Sequence, residues 1–216
     1  MKNFLSALVL SFLSCIAPAQ VQLPSPLSPA IPSREHYGFY LSMSGGPVFG
    51  NISDNYYSGS FKMSGTGALF DFKIGGVIAN NLILHATVLS QVLAGPKITI
   101  SSGTGGKASD NLNVGESMIG GGFTYYIMPS NTFLSISAGL GNFSIIDNTN
   151  SSNNITTREG FSIQLKAGKE WWISSRWGLG LGLTYGKTKL TNKPTGGITE
   201  ILNSNRFGIV FNATLN

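Results

Sequence analysis

The chain has 216 residues, enough for one sizeable domain. Only 11% of them are charged, less than half of the roughly 25% found in ordinary soluble domains. The formal net charge is +5, but the basic residues are scattered and form no run, which argues against a nucleic-acid-binding protein. The one cysteine, Cys15, falls in a predicted export signal, so a disulfide or a Cys-ligated zinc site is excluded for the exported chain.

The first 19 residues have the features of a signal peptide, which we predict for 1–19. Lys2 supplies a positive start, residues 4–16 are apolar, and Ala17 and Ala19 are the small residues of a signal-peptidase site. The apolar stretch is shorter than the about 20 residues of a membrane-spanning helix. A second interpretation stays open, in which 12–15 (FLSC) resembles a lipobox and Cys15 becomes an acylated N-terminus.

Residues 20–36 carry four prolines, at positions 24, 26, 29 and 32. Spaced prolines favour extended, unpaired chain. We therefore predict a flexible, Pro-rich periplasmic leader before the folded domain, which spans 37–216. A partner-binding role of this leader is the alternative.

Eight segments of the folded domain alternate between apolar residues and small or polar residues. They lie at 37–48, 67–78, 81–93, 114–127, 133–145, 160–173, 177–187 and 205–215. A period of two places the two sets on opposite faces of a strand, and each segment is long enough for a tilted strand to cross a bilayer.

The connections between these segments alternate in length. Short turns are predicted at 79–80, 128–132 and 174–176, and long polar loops at 49–66, 94–113, 146–159 and 188–204. Short periplasmic turns and longer external loops are typical of bacterial outer-membrane barrels. We predict an all-β fold, an eight-stranded antiparallel up-and-down transmembrane β-barrel in a Gram-negative outer membrane, with extracellular loops and both termini periplasmic.

Alternation by itself also fits a soluble lipocalin-type barrel, with the apolar face inside. The polar face here carries about one charge per strand or fewer, which is too little for a water-exposed wall but suits the crowded lumen of a narrow barrel. Six charged residues of balanced sign are predicted to form an ion-pair network in a closed lumen: Asp71, Lys73, Glu116, Lys166, Glu170 and Arg206. Buried charges need such partners. A gated polar path is the alternative.

Aromatic residues fall where the strands should meet the two membrane interfaces. The predicted girdle consists of Trp171, Trp172, Trp177 and Tyr125 at the periplasmic side and Tyr185 toward the external rim. Such girdles are expected at both interfaces of a barrel. The alternative is that the three tryptophans anchor a soluble core.

Two stretches carry a resemblance to a known group of proteins. The sequence GKEWW at 168–172, followed by WGLG at 177–180, resembles the small outer-membrane β-barrel proteins, the OmpA-like and OmpW-like barrels. This resemblance covers about 37–216 and implies a fold and a location, a lumen plugged by ion pairs, and folding by the barrel assembly machinery. Such barrels usually end on an aromatic residue, whereas this chain ends on Asn216 and has Phe211 as its last aromatic.

The sequence leaves three functions open. The first is a non-enzymatic surface protein, expected to be a monomer, that serves envelope integrity, adhesion or contact with lipopolysaccharide and outer-membrane lipid. The second is a channel for small solutes or hydrophobic compounds. The third, a lipid A-modifying enzyme, needs a Ser, a His and an acidic residue near the external rim, and we expect His36 and His85 to lie on the periplasmic side.

Three lysines around the last predicted loop could contact lipid A phosphates: Lys187, Lys189 and Lys193. A solvated loop is the simpler interpretation of the same residues. His85 is a lone inward histidine, more typical of a hydrogen-bonded structural residue than of a metal ligand. We expect no metal, no cofactor and no nucleic-acid partner.

Overall fold

The computed structural model describes residues 35–56, 59–100, 105–150, 152, 154–192 and 199–216. The predicted signal peptide at 1–19, Cys15, nearly all of the predicted leader and Lys193 lie outside the described residues. Within the described parts, no helix is long and apolar enough to cross a membrane.

Ten strands follow one another in the described parts of the chain. They are β1 (Phe39–Tyr56), β2 (Gly59–Ala79), β3 (Leu82–Ala94), β4 (Lys97–Ile100), β5 (Leu112–Ile127), β6 (Thr132–Asp147), β7 (Ile155–Thr156), β8 (Gly160–Trp172), β9 (Trp177–Asn192) and β10 (Glu200–Leu215). Eight of them pair antiparallel with their neighbours, and β1 closes the ring by pairing with both β2 and β10. The predicted eight-stranded antiparallel barrel is confirmed. The two short strands β4 and β7 add to β2 and β6 at one end.

The two ends of the barrel differ. The short turns after β2, β5 and β8 lie together with the start of β1 and the end of β10, and we call this the turn end. Two of these turns contain a non-glycine residue at positive φ, Asn81 at 59° and Asn131 at 54°. Asparagine tolerates this left-handed conformation better than most residues. We call the opposite end the loop end.

The predicted long loops are wrong in their extent. β1 and β2 remain paired from Phe39↔Gly76 to Tyr56↔Gly59, although 49–66 was predicted to be a loop. β9 and β10 likewise pair as far as Asn192↔Glu200. The Ser, Asn, Thr and Gly residues there indicated a loop, but an antiparallel ladder satisfies the backbone groups whatever the side chains are. The barrel therefore extends well beyond its outward apolar band.

Alternation along each strand sorts the side chains as predicted, with an apolar outward band and a mostly polar inward face. Exposed residues of the band include Phe70, Leu84, Ile119, Leu134, Leu165, Leu183 and Ile209. The inward face contains an apolar cluster that the sequence analysis missed, near the loop end, formed by Ile52, Met63, Val114, Phe143, Leu190 and Leu202. Most of these residues fall in or beside segments predicted as loops. No strand was predicted there, so their side chains were not assigned to the inward face.

Candidate functional site

The middle of the lumen holds an ion pair that joins two distant strands. Lys166 Nζ on β8 lies 3.1 Å from Asp71 Oδ2 on β2, and Lys73 Nζ lies 4.0 Å from the same oxygen. Lys166 also donates to Ser44 Oγ at 2.6 Å, and Lys73 donates to Ser135 Oγ at 2.7 Å. All of these groups are buried. Two cations on one carboxylate, completed by hydroxyl acceptors, connect β1, β2, β6 and β8 across the barrel.

A second ion pair lies nearer the loop end. The Arg206 guanidinium on β10 pairs with Glu116 Oε1 on β5. Gln91 Nε2 donates to Glu116 Oε2 at 2.7 Å, and Thr188 and Ser204 donate their hydroxyls to Oε1 at 2.5 and 3.1 Å. Each side-chain oxygen of Glu116 is thus satisfied, as a buried carboxylate requires.

Glu170 has a different environment from the other five charges of the predicted network. It accepts hydrogen bonds from Tyr126 Oη at 3.1 Å, Asn212 Nδ2 at 3.1 Å and Thr214 Oγ1 at 2.7 Å. Within the described residues it forms no ion pair. The six predicted charges therefore form two ion-paired clusters and a third site at Glu170, because they stand at different heights along their strands. Asn212 joins Glu170 to the first cluster, since its Oδ1 accepts a hydrogen bond from Lys166 Nζ at 3.4 Å.

The turn end of the lumen is closed by a histidine to which the sequence analysis gave no role. His36 is buried at 2% exposure, and its backbone N–H donates to Asn81 Oδ1 at 3.0 Å. Its Nε2 lies 2.8 Å from Asn131 Oδ1, and its ring stacks on Tyr126. The two asparagines at positive φ thus hold the end of the predicted leader at the turn end of the lumen. The sequence analysis did not predict this burial, because His36 ends a Pro-rich leader that was predicted to be flexible. No motif in the sequence indicates it.

The other histidine lies deeper in the same half of the barrel. His85 Nδ1 is 3.0 Å from Thr87 Oγ1, and Nε2 is 3.0 Å from Thr124 Oγ1. Both ring nitrogens therefore have hydrogen-bond partners. This is the arrangement expected of a structural histidine rather than of a metal ligand.

The predicted girdle residues do not all face outward. Trp171 and Trp177 are exposed on the outer surface at the turn end, as is Tyr125. Trp172 differs from this prediction: it has the inward parity of β8, and its ring centroid lies 5.0 Å from that of His36. A step of one residue along a strand reverses the face, so the adjacent tryptophans 171 and 172 cannot both meet lipid. Tyr185 is exposed on the outer surface toward the loop end, and its hydroxyl donates to Asn205 Oδ1 at 3.0 Å.

The outer surface carries an apolar groove below two lysines. The groove has a volume of about 490 Å³ and is lined by Phe123, Tyr125, Leu134, Ile136, Leu165, Leu183, Tyr185 and Phe207. Lys187 and Lys189 follow Tyr185 on the same outward face of β9, and both are exposed. The structure therefore places positive charge immediately beyond the loop-end margin of the groove.

A smaller cavity opens at the loop end of the lumen, and we call it the mouth pocket. Its volume is about 160 Å³, and it lies above the loop-end apolar cluster. Its lining includes Asp54, Phe61, Met63, Phe143, Asn192, Glu200 and Leu202. It combines apolar walls with two carboxylates. The sequence analysis missed it because 49–66 and 188–204 were predicted to be loops.

Comparisons with known proteins agree with this architecture. No protein-family model and no curated protein matches the sequence. Among solved structures the chain is similar to the Neisserial surface protein A, NspA, with a TM-score of 0.54 and 13% identity over 82% of this chain and 96% of that one. It is also similar to the outer membrane protein OprG from Pseudomonas aeruginosa, with a TM-score of 0.51 and 12% identity over 85% of this chain and 99% of that one. This chain has the fold of the small eight-stranded outer-membrane β-barrels.

Proposed function

We propose that this protein is a non-enzymatic, integral outer-membrane barrel that acts through its outer surface and its loop end, above all by contact with lipopolysaccharide. The turn end faces the periplasm and the loop end faces the outside of the cell. The exposed Trp171 and Trp177 at one margin of the apolar band and Tyr185 at the other support this orientation, because amphipathic rings favour membrane interfaces. The monomer is the expected form.

The observation that carries the proposal is the filling of the lumen. The pairs Lys166–Asp71 and Arg206–Glu116 cross the barrel at two heights, apolar residues fill the lumen toward the loop end, and His36 fills the turn end. A lumen occupied by paired charges and packed side chains leaves the outer surface and the loops as the places for function. Purified protein in planar bilayers should give no stable openings, and regular large conductance steps would contradict a closed lumen.

Lipopolysaccharide is the partner that the outer surface fits. The groove can take acyl chains, and Lys187 and Lys189 stand where the phosphates of an outer-leaflet lipid would lie. A basic residue beside an anionic lipid surface contributes about 1 kcal/mol. The double variant Lys187→Ala/Lys189→Ala should therefore bind lipopolysaccharide in detergent micelles about tenfold more weakly, or worse.

The matched control is Lys97→Ala/Lys107→Ala, which removes the same two charges from exposed positions near β4. It should leave binding unchanged. Equal weakening by both double variants would mean that net charge alone attracts the lipid, and no effect of either would remove lipopolysaccharide contact from the proposal. The two double variants should bind dephosphorylated lipid A with equal affinity.

Passage of a small hydrophobic compound is the second candidate, and the mouth pocket favours it. Phe61, Met63 and Phe143 offer such a compound an apolar entry. The Arg206–Glu116 layer lies beneath that entry, so passage would require a rearrangement of this layer. Uptake of a fluorescent hydrophobic probe into proteoliposomes, compared with empty liposomes, distinguishes passage from binding at the mouth.

The absence of enzymatic activity is also a proposal. Both histidines lie in the turn-end half of the lumen, away from the loop-end rim where a lipid A-modifying site would be needed. Mass spectrometry of lipid A from cells with and without the protein tests this point. A protein-dependent change in acylation would contradict it.

A further inference from the structure

The mouth pocket contains a buried carboxylate, Asp54, that forms no ion pair within the part of the chain that the structure describes. Asp54 is 2% exposed, and its Oδ1 has no hydrogen-bond partner among the described residues. The adjacent strands contribute Phe61 from β2 and Leu202 from β10 at the same height, and both are apolar. A buried carboxylate with an unsatisfied oxygen is costly, so a ligand that satisfies it would bind with a gain in free energy.

A second carboxylate stands next to the first. Glu200, at the start of β10, accepts a hydrogen bond from Asn192 Nδ2 at 2.9 Å and lines the same pocket. Asp54 lies beyond Phe49, the last large apolar residue of β1 in the outward band. Burial raises the pKa of Asp54 above its ordinary value of 3.8, the charge of Glu200 raises it further, and a backbone hydrogen bond with Ile201 partly offsets both effects. The two negative charges repel each other, and a cation between them would relieve that repulsion.

The walls of the pocket are mostly apolar, although Ser144, Thr157 and Asn192 also line it. Met63, Phe143 and Leu202 belong to the loop-end apolar cluster, and Phe61 packs against it. A volume of about 160 Å³ is several times the roughly 30 Å³ that one water molecule occupies in the liquid. The aromatic faces of Phe61 and Phe143 also attract an organic cation. Size and lining therefore suit a charged group attached to a small apolar body.

We propose that the mouth pocket is a binding site for a small organic ammonium ion with an aromatic or short alkyl body. The ammonium group lies between the Asp54 and Glu200 carboxylates, and the body packs against Met63, Phe143 and Leu202. This inference goes beyond the proposed contact with lipopolysaccharide and concerns a different surface. The site faces the outside of the cell if the proposed orientation holds, but binding to purified protein does not depend on that orientation.

The test is calorimetric titration of the purified full chain in a non-ionic detergent with phenethylammonium. The neutral alcohol 2-phenylethanol has the same body without the charge, and methylammonium has the charge without the body. Asp54→Asn removes the buried charge with little change in shape. Asp110→Asn is the matched control, because its side chain is 82% exposed and paired with Lys107.

Saturable binding of phenethylammonium is expected, with at least tenfold weaker binding of both partial probes. Asp54→Asn should weaken the affinity at least tenfold, and Asp110→Asn should leave it unchanged. Leu202→Phe, which fills the pocket and keeps both carboxylates, should weaken it as well. A denaturing gel verifies that each variant is folded, since the folded barrel changes its migration when the sample is heated.

The affinity should also depend on pH. Since the pKa of Asp54 is raised, its carboxylate is lost on acidification at a higher pH than that of an ordinary aspartate, while phenethylammonium stays charged. The affinity should therefore fall as the pH is lowered through this range, and Asp54→Asn should flatten the profile.

Four results would overturn the proposal. They are no saturable binding, equal binding of the neutral alcohol, equal binding by Asp54→Asn, and binding that appears only after Lys193→Ala. The last would mean that a lysine of the chain itself occupies the pocket. If Asp54→Asn weakens calcium binding and leaves phenethylammonium binding unchanged, the third result holds and the carboxylates belong to an inorganic cation.

Discussion

The imidazole ring of His36 stacks on the phenol ring of Tyr126, with ring centroids 3.6 Å apart and planes inclined by 20°. Tyr126 in turn donates its hydroxyl to Glu170 Oε2 at 3.1 Å. A residue that precedes the first strand is thereby connected to a buried carboxylate on β8. The chain before β1 is part of the barrel's closure at this point and not only an attachment to it.

Replacement of His36 by alanine should destabilise the barrel. The variant loses the ring stack, worth about 0.5–1.5 kcal/mol, and the hydrogen bond to Asn131, worth about 1 kcal/mol. We expect a decrease of about 2 kcal/mol in the free energy of unfolding, measured by urea titration in lipid vesicles. Glu35→Ala is the control, because the adjacent Glu35 is exposed. Equal stability of the two variants would mean that His36 does not hold the turn end.

The Glu116–Arg206 pair should show strong coupling. Glu116→Leu or Arg206→Met alone leaves one buried charge without its partner and should cost about 3–5 kcal/mol. The double variant should cost clearly less than the sum of the two, because no unpaired charge remains. Unfolding free energies of the four proteins complete this cycle. Additive losses would show that the two side chains are stabilised independently.

Close approach of two strands depends on a pair of facing glycines. Gly120 on β5 and Gly139 on β6 are in register, and a Cβ at either would overlap the carbonyl oxygen of the residue before the other, Ala138 or Ile119. Gly120→Ala should therefore cost about 1–3 kcal/mol through overpacking. Gly106→Ala, where a Cβ meets nothing within 4 Å, should stay within about 0.5 kcal/mol. Comparable heat-shift midpoints for the two variants would contradict this account.

The outward apolar band predicts that the destabilisation caused by an outward-facing arginine depends on its depth in the membrane. Leu181 is exposed on the outer face of β9, halfway between Trp177 and Tyr185 in its apolar run, and Thr191 is exposed on the same face near the loop end. An arginine in the lipid-facing midplane of a barrel costs about 2–4 kcal/mol, and one near an interface costs about 0–1 kcal/mol. Leu181→Arg should therefore destabilise the protein in bilayers much more than Thr191→Arg. Equal effects would mean that the band does not lie in a membrane.

The fold could be predicted because its signals are local. The alternation at 133–145 and 177–187 assigns each side chain to a face, and the short turns between strands follow from residues such as those of 128–132. The polar extension of β1 and β2 to residues 56 and 59 carried no such signal, since Ser, Asn and Gly are equally common in loops. Pairing with the partner strand stabilises this extension, and the local sequence does not show which strand is the partner.

The candidate site could be predicted only in part. Inward parity identified Asp71, Glu116, Lys166 and Arg206 as buried charges, since a period of two is a property of the single strand. Which charge meets which was decided by the register of strands far apart in sequence, as for Lys166 and Asp71 across the lumen.

The same distinction, between contacts along one strand and contacts between distant strands, applies to the other features of the molecule. The sequence by itself determined the barrel, its strand number and its two faces, because these depend on neighbours along one strand. Only the tertiary structure decided that His36 fills the turn end, that its ring lies beside that of Trp172, and that Asp54 and Glu200 share an apolar pocket. Those contacts arise from barrel closure, which brings the first and last strands together.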